Sequence, residues 1–398
     1  MAASTMLPPP RDALGPLAWT RRNLYPSIPS ALATLLIGAV LAWLVLTVGG
    51  WTLGEARWDV VTRNLRVFLI GQYPADQAWR LWLNLALVSV LAGASAAVLG
   101  RTTRALGVSL SGLQLLLVAL MAVSPVGPLI TVGLLANALG VWVAFVIGLK
   151  MRLPRGPLVW AWLASIPVSF VLINGIGETA LPTVAPNVWG GLMLTVLLAV
   201  VGIVLSFPLG VILALGRRSS LPAARLLSTA YIELIRGVPL VTILFMADIM
   251  LPLLLPGELR IDRVTRAMGG ITLFSAAYVA ENVRGGLQAI PSGQIEAAKA
   301  IGLNTVQTNL YIVLPQALRA VIPANVGLFI SLLKDTTLVT IIGLLELLGI
   351  GRAVLAQPTS LGAHLEVYTF IAAAFFVLCY AMSQASYRLE RALGVGTR

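Results

Sequence analysis

Charge is scarce in this sequence. Asp, Glu, Lys and Arg make up 11% of its 398 residues, against about 25% in an ordinary soluble protein. Apolar residues make up 58%, and the mean hydropathy is +0.93. So few charges cannot cover a water-facing surface, which excludes a soluble domain, a disordered chain and a fibre and leaves lipid as the solvent for most of the chain. The single cysteine, Cys379, allows no internal disulfide and sits mid-helix as small apolar filler. The single histidine, His364, has no second histidine or cysteine near it, so zinc and Cys–His catalysis lack ligands, and it reads as a solvated loop residue. The three lysines follow Leu149, Ala298 and Leu333. The Gly-Lys-Ser/Thr of a phosphate-binding loop is therefore absent, and any ATP must be held by another chain. Basic residues outnumber acidic ones by 27 to 15, yet no basic run exceeds two residues. That pattern speaks against nucleic acid and for membrane orientation. No internal repeat is evident, and nothing resembles the residue set of an enzyme.

What is present is a series of apolar segments. About 20 residues of helix cross a bilayer core. Uncharged runs of that order are 31–48, 81–99, 105–123, 126–149, 157–174, 188–216, 237–256 and 367–387. Two more are interrupted: 267–290 by Glu281 and Arg284, and 320–345 by Lys334 and Asp335. The expectation is an all-α polytopic membrane bundle of about ten helices, within a range of 8–10. With the N-terminus inside, eighteen of the basic residues fall in inner segments and eight in outer ones, Lys334 lying within the membrane. Both termini are then cytoplasmic. The tail before residue 31 is Pro-rich and longer than a usual signal n-region, so 31–48 reads as a retained anchor. A Gly/Pro stretch at 175–187 divides the chain. The expected organisation is a tail at 1–30, a transmembrane extension at 31–175 and a second transmembrane domain at 187–390. Pro208, Pro239 and Pro323 predict kinks.

The most informative stretch is Pro291–Asn304, a cytoplasmic loop on this topology. Pro291 and Gly302 bracket about nine helix-forming residues, too few to span. Ile295, Ala298 and Ile301 form a narrow apolar face, and Asn304 with Gln307 predicts a capping box that opens the next helix. A short helix outside the bilayer suits docking to a partner.

The pattern Glu296-Ala297-Ala298, three residues, Gly302, nine residues, Ile312-Val313-Leu314-Pro315 resembles the EAA loop of ABC importer permeases at every fixed position. Leu213–Arg217, Tyr231–Leu240, Ala277–Gly286 and Ile330–Leu338 resemble the amino-acid importer branch, and together these motifs cover about 188–390. The extension, with Gly71-Gln72-Tyr73-Pro74 and Trp79-Arg80, is similar to permeases of general L-amino-acid importers. Asn282 stands at a position usually apolar in that family, and Thr337 where Ser is commoner.

The resemblance implies a five-helix type I importer core with its coupling loop at 291–315, in a multi-pass permease of a bacterial inner membrane. It implies an ATPase dimer as partner, with ATP used there and no cofactor on this chain. It also implies a sister permease or a second copy, and a periplasmic amino-acid-binding protein. Carried over by position, Glu296, Ala297, Ala298, Gly302, Leu314 and Pro315 couple to the ATPase.

Charges within the membrane cost at least about 2.5 kcal/mol each on insertion scales. Lys334 and Asp335 therefore need partners or water. They line a pathway or gate with Thr336 and Thr337, or they form structural pairs, for instance with Asp248 or Glu281. Glu281 and Arg284, i,i+3 on one face, read as a structural ion pair. Arg260, Arg263 and Arg266 read as a solvated outer loop. The rival functions are an ion-coupled secondary transporter, which requires broken helices in matching halves, and a channel, which needs no docking helix.

Overall fold

The computed structural model describes residues 15–98, 108, 111–112, 114–115, 128–151, 153–178, 181–257, 260–392 and 394, and every structural statement below concerns these. The chain forms two units, residues 1–58 and 59–398. In the first, α1 (Pro16–Leu24) precedes α2 (Ile28–Gly50). Ser27 caps α2 by accepting from the Ser30 N–H, and the helix runs on through a wider turn, Trp51–Glu55. Apolar residues surround α2 on all sides and none is buried, as expected of a helix solvated by lipid.

The second unit begins with two short helices, α3 (Asp59–Arg63) and α4 (Leu65–Ile70). Three long ones follow: α5 (Trp79–Val98), α6 (Pro128–Met151) and α7 (Arg155–Asn174). Helix α5 packs on α6 and α7. Between apolar helices in lipid, side-chain hydrogen bonds add direction to packing. Here Trp162 Nε1 donates to Ser95 Oγ at 2.9 Å, and Ser169 Oγ donates to Asn84 Oδ1 at 2.6 Å. The Gly/Pro stretch folds back on itself, with Val184 N–H donating to Asn174 O. It delivers the buried Trp189 to the start of the core.

The core comprises α8 (Gly191–Arg217), a bent pair α9 (Pro222–Arg236) and α10 (Leu240–Leu254), and α11 (Arg263–Gln288). The short α12 (Ser292–Ala300), α13 (Leu314–Ala320) and α14 (Ile322–Ile342) come next, then α15 (Leu347–Leu355) and α16 (His364–Ala392). Helix α11 is the centre of the bundle: fourteen of its residues are buried, and it packs along α8.

Nine of the ten expected segments coincide with helices; the tenth, 105–123, falls largely outside the described residues. The residues between the apolar runs 188–216 and 237–256 form α9, bent 105° from α10. Arg263 and Arg266 belong to the first turns of α11, and His364 opens α16. Among the expected kinks, Pro208 lies inside α8, whereas Pro239 is the N-cap residue of α10, at the bend, and Pro323 sits in the first turn of α14. Neither of the latter two removes a hydrogen bond from a helix interior, because a first-turn N–H has no intrahelical partner.

Candidate functional site

Helix α12 has the nine residues that Pro291 and Gly302 predict. Its inner face is carried by Ala298, 3% exposed, and by the half-buried Ile295, the latter packed against a cluster that includes Val283, Leu287 and Val313. Ile301 points outward instead, 75% exposed, so the apolar face is narrower than the three-residue period implies. Gly302 takes φ +86°, the left-handed conformation that ends the helix, and a Cβ built there meets nothing within 4 Å. Asn304 and Gln307 form the expected capping box: Gln307 N–H donates to Asn304 Oδ1 at 2.9 Å and Asn304 N–H to Gln307 Oε1 at 3.0 Å. A short turn at Thr305–Gln307 and a wider one at Thr308–Val313 lead to α13, where Leu314 is half-buried and Pro315 exposed. The coupling candidates therefore divide. Ala298 and Leu314 face the bundle, while Glu296, Ala297, Gly302 and Pro315 face out from its end.

Beyond α12, charged residues from three helices converge. Glu281, whose side chain is 15% exposed, accepts from Arg217 at 2.7 Å and from Arg284 at 2.9 Å, and pairs with Arg236 at 3.3 Å. Arg217 also holds Glu233 at 2.8 Å, and the Arg236 guanidinium lies over the Tyr278 ring at 5.5 Å. The i,i+3 pair Glu281–Arg284 is thus one edge of a five-residue network that joins the ends of α8, α9 and α11. Asn282 reaches Asn325 of α14, Nδ2 to Oδ1 at 3.0 Å. This amide pair gives the polar residue at a usually apolar position a partner.

Lys334 is exposed and Asp335 half-buried near the far end of α14, and among the described residues neither makes an ion pair. The two structural partners open to them are engaged elsewhere: Glu281 as above, and Asp248 with Arg263 at 3.1 Å and Arg266 at 3.2 Å. Arg266 also bonds the Asp248 carbonyl. Its side chain is 11% exposed, so it is a packed residue rather than part of a solvated loop. Thr336 is buried and donates to Leu333 O at 2.6 Å; Thr337 donates to Lys334 O at 2.8 Å.

The comparisons place these elements in a family. Residues 206–394 match the family described as binding-protein-dependent transport system inner membrane component. Over 395 residues the chain is 36% identical to an Escherichia coli inner membrane amino-acid ABC transporter permease protein, YhdY, covering 96% of this chain and 94% of that one. This chain belongs to that permease family. It is also 36% identical, over 97% of its length, to BztC of Rhodobacter capsulatus, a glutamate/glutamine/aspartate/asparagine transport system permease protein, 95% of which is covered. A probable glutamine ABC transporter permease protein of Bacillus subtilis, GlnP, is 36% identical over 51% of this chain and 91% of its own length. The permease is a multi-pass membrane subunit without catalytic chemistry of its own. In its family a separate ATPase uses ATP and a binding protein delivers the solute.

Two features of the permease had no signal in sequence. Glu346 is fully buried as the N-cap of α15: it accepts from the Leu348 and Gly349 N–H groups at 2.9 and 2.8 Å and from Thr340 Oγ1 at 2.6 Å. Arg80 is also fully buried, donating to Pro182 O at 2.8 Å beside Tyr73. Burial lifts the Tyr73 phenol above its ordinary pKa, although Arg80 opposes the shift, so the hydroxyl stays a donor to Ile173 O at 2.8 Å.

Proposed function

We propose that this permease passes L-amino acids across a bacterial inner membrane, driven by an ATPase dimer docked on α12. It pairs in the membrane with a sister permease or with a second copy of itself. The observation that carries this is α12 itself: a nine-residue helix, followed by a left-handed Gly302, presenting Glu296, Ala297 and Gly302 away from the bundle while Ile295 packs against the core cluster that includes Val283 and Leu287 of α11. Small outward residues permit close approach of a groove, and the inner contacts transmit its closure to the spanning helices. The amino-acid class follows the relatives named above, which match across nearly the whole chain. Both termini, the turn at 218–221 and α12 lie on the cytoplasmic side, since the eighteen-to-eight basic asymmetry favours it. Lys334 and Asp335, neither in an ion pair among the described residues, line the pathway near its outer end, with Thr337 beside them.

The test is reconstitution in vesicles with its ATPase and its binding protein. Uptake of labelled amino acids should require internal ATP and the binding protein together. Uptake driven by an ion gradient alone would establish a secondary transporter instead.

A further inference from the structure

The extension before α8 has no part in that proposal, yet its short helices α3 and α4 grip the outer end of the core. Three backbone segments cross there without side chains between them. Gly71 pairs with Trp189 and Gly191 with Glu346 as isolated bridges, and Gly191 N–H donates to Leu345 O at 2.9 Å. Gly71 and Gly191 have φ of +63° and +61°. A Cβ on Gly71 would lie 2.5 Å from Gly190 Cα, and one on Gly191 would lie 2.3 Å from Phe68 O. Beside the crossing, the fully buried Phe68 ring packs into a cluster with Leu347, Ile350 and Val354 of α15, and lies 5.0 Å from the Phe370 ring. Leu347 N–H donates to Thr195 Oγ1 in the first turn of α8 at 3.1 Å. The segment held in this way, 343–355, directly follows α14, at the end opposite α12.

We propose that α3, α4 and the turn at 71–74 form a strut that sets the resting position of residues 343–355, with Phe68 and Tyr73 as positioning residues. This rests on the proposal that α14 lines the pathway. A segment fixed by a second element moves only when something supplies differential free energy for the other state. In the complex the binding protein supplies it, and the strut keeps the outer end from moving without that protein. Phe68 holds α15 directly. Tyr73 anchors the turn to α7 through its bond to Ile173 O, and so stiffens the strut at its base.

The experiment uses the purified complex of permease and ATPase in lipid nanodiscs, with and without its binding protein. Phe68→Ala should raise ATP hydrolysis in the absence of binding protein by about five- to tenfold, the size of an ordinary coupling loss, and shrink the stimulation by the same factor. Amide exchange should accelerate at 343–355 and stay unchanged at 292–300. Phe68→Leu should restore most of both. An unchanged ratio of stimulated to basal hydrolysis overturns the proposal, as does exchange that rises equally across 59–398, which would mark a purely structural residue. If Phe68→Ala does not assemble, Tyr73→Phe decides: it should move the ratio in the same direction, and a wild-type ratio overturns the strut. Normal uptake by Asp335→Asn would remove the pathway assignment alone, because neither readout here depends on it.

Discussion

Glu281 and Arg217 are 64 residues apart in sequence and 2.7 Å apart in space. That one contact ties the end of the first core helix to the helix leading into α12, and Arg236 brings the bend between α9 and α10 to the same carboxylate. Three motifs that look independent along the chain, around Arg217, Arg236 and Glu281, thus meet at the end of the bundle that carries the docking helix.

Glu281→Gln should therefore be worse than the loss of one pair. It leaves Arg217, Arg236 and Arg284 with Glu233 as the only acid of the network. Uncompensated cations in a partly dry site cost about 3 kcal/mol. The expected result is a lower unfolding temperature of the purified permease and a steeper loss of uptake. Arg217→Gln combined with Glu281→Gln should cost less than the two single effects added, because the partners act as a unit. Strict additivity would show that Glu281 does not hold the network together.

The proposed orientation has a direct check. In a Cys379→Ala background, cysteines at Ser220 and Gln294, both exposed, should resist a membrane-impermeant thiol reagent in intact cells. A cysteine at the exposed Gln357, beyond α15 at the opposite end, should react. Reversal of that pattern would invert the assignment.

The bundle and α12 were legible in sequence for a physical reason. Each depends on local rules: an apolar length that matches the bilayer, Pro and Gly brackets, and a capping box. The Glu281 network was visible only as its local edge, Glu281–Arg284, since the other partners lie 45 and 64 residues away and no local rule relates them. The burial of Arg80 and Glu346 was likewise illegible, because Arg80 meets Pro182 from 102 residues away and Glu346 lies where its backbone bridges Gly191. The engagement of Asp248 by Arg263 and Arg266 required α11 to start earlier than its apolar run, and a charged first turn hides a helix from a hydropathy criterion.

With Asp248 and Glu281 both engaged, Lys334 and Asp335 are left for a pathway. Asp335→Asn should lower the maximal rate of uptake by about tenfold or more, with membrane abundance and ATPase binding retained. Co-purification of the ATPase at wild-type yield is the control. Failure to assemble would instead assign Asp335 to the structure of the bundle.

Gly302 gives the sharpest test of α12. At φ +86° a side chain costs about 1 kcal/mol, too little to unfold a membrane bundle of this size. Nothing within 4 Å of the built Cβ resists the substitution, so within this chain Gly302→Asp meets open space. Gly302→Ala, with the same backbone strain and less bulk, isolates the conformational cost. If α12 were only a connector, both variants would transport normally. If it fills a groove of the ATPase, the outward aspartate adds volume and charge where surfaces must meet. Gly302→Asp should then reach the membrane at normal abundance while uptake is lost, and the ATPase should bind weakly or hydrolyse ATP without transport. Glu296→Lys, also on the outward face, should fail in the same way, whereas Gly302→Ala should keep measurable uptake. Membrane abundance, ATPase retention and binding-protein-stimulated hydrolysis separate these outcomes. Full coupled transport by Gly302→Asp would remove the docking role of α12 and, with it, the main structural support for the ATPase interface.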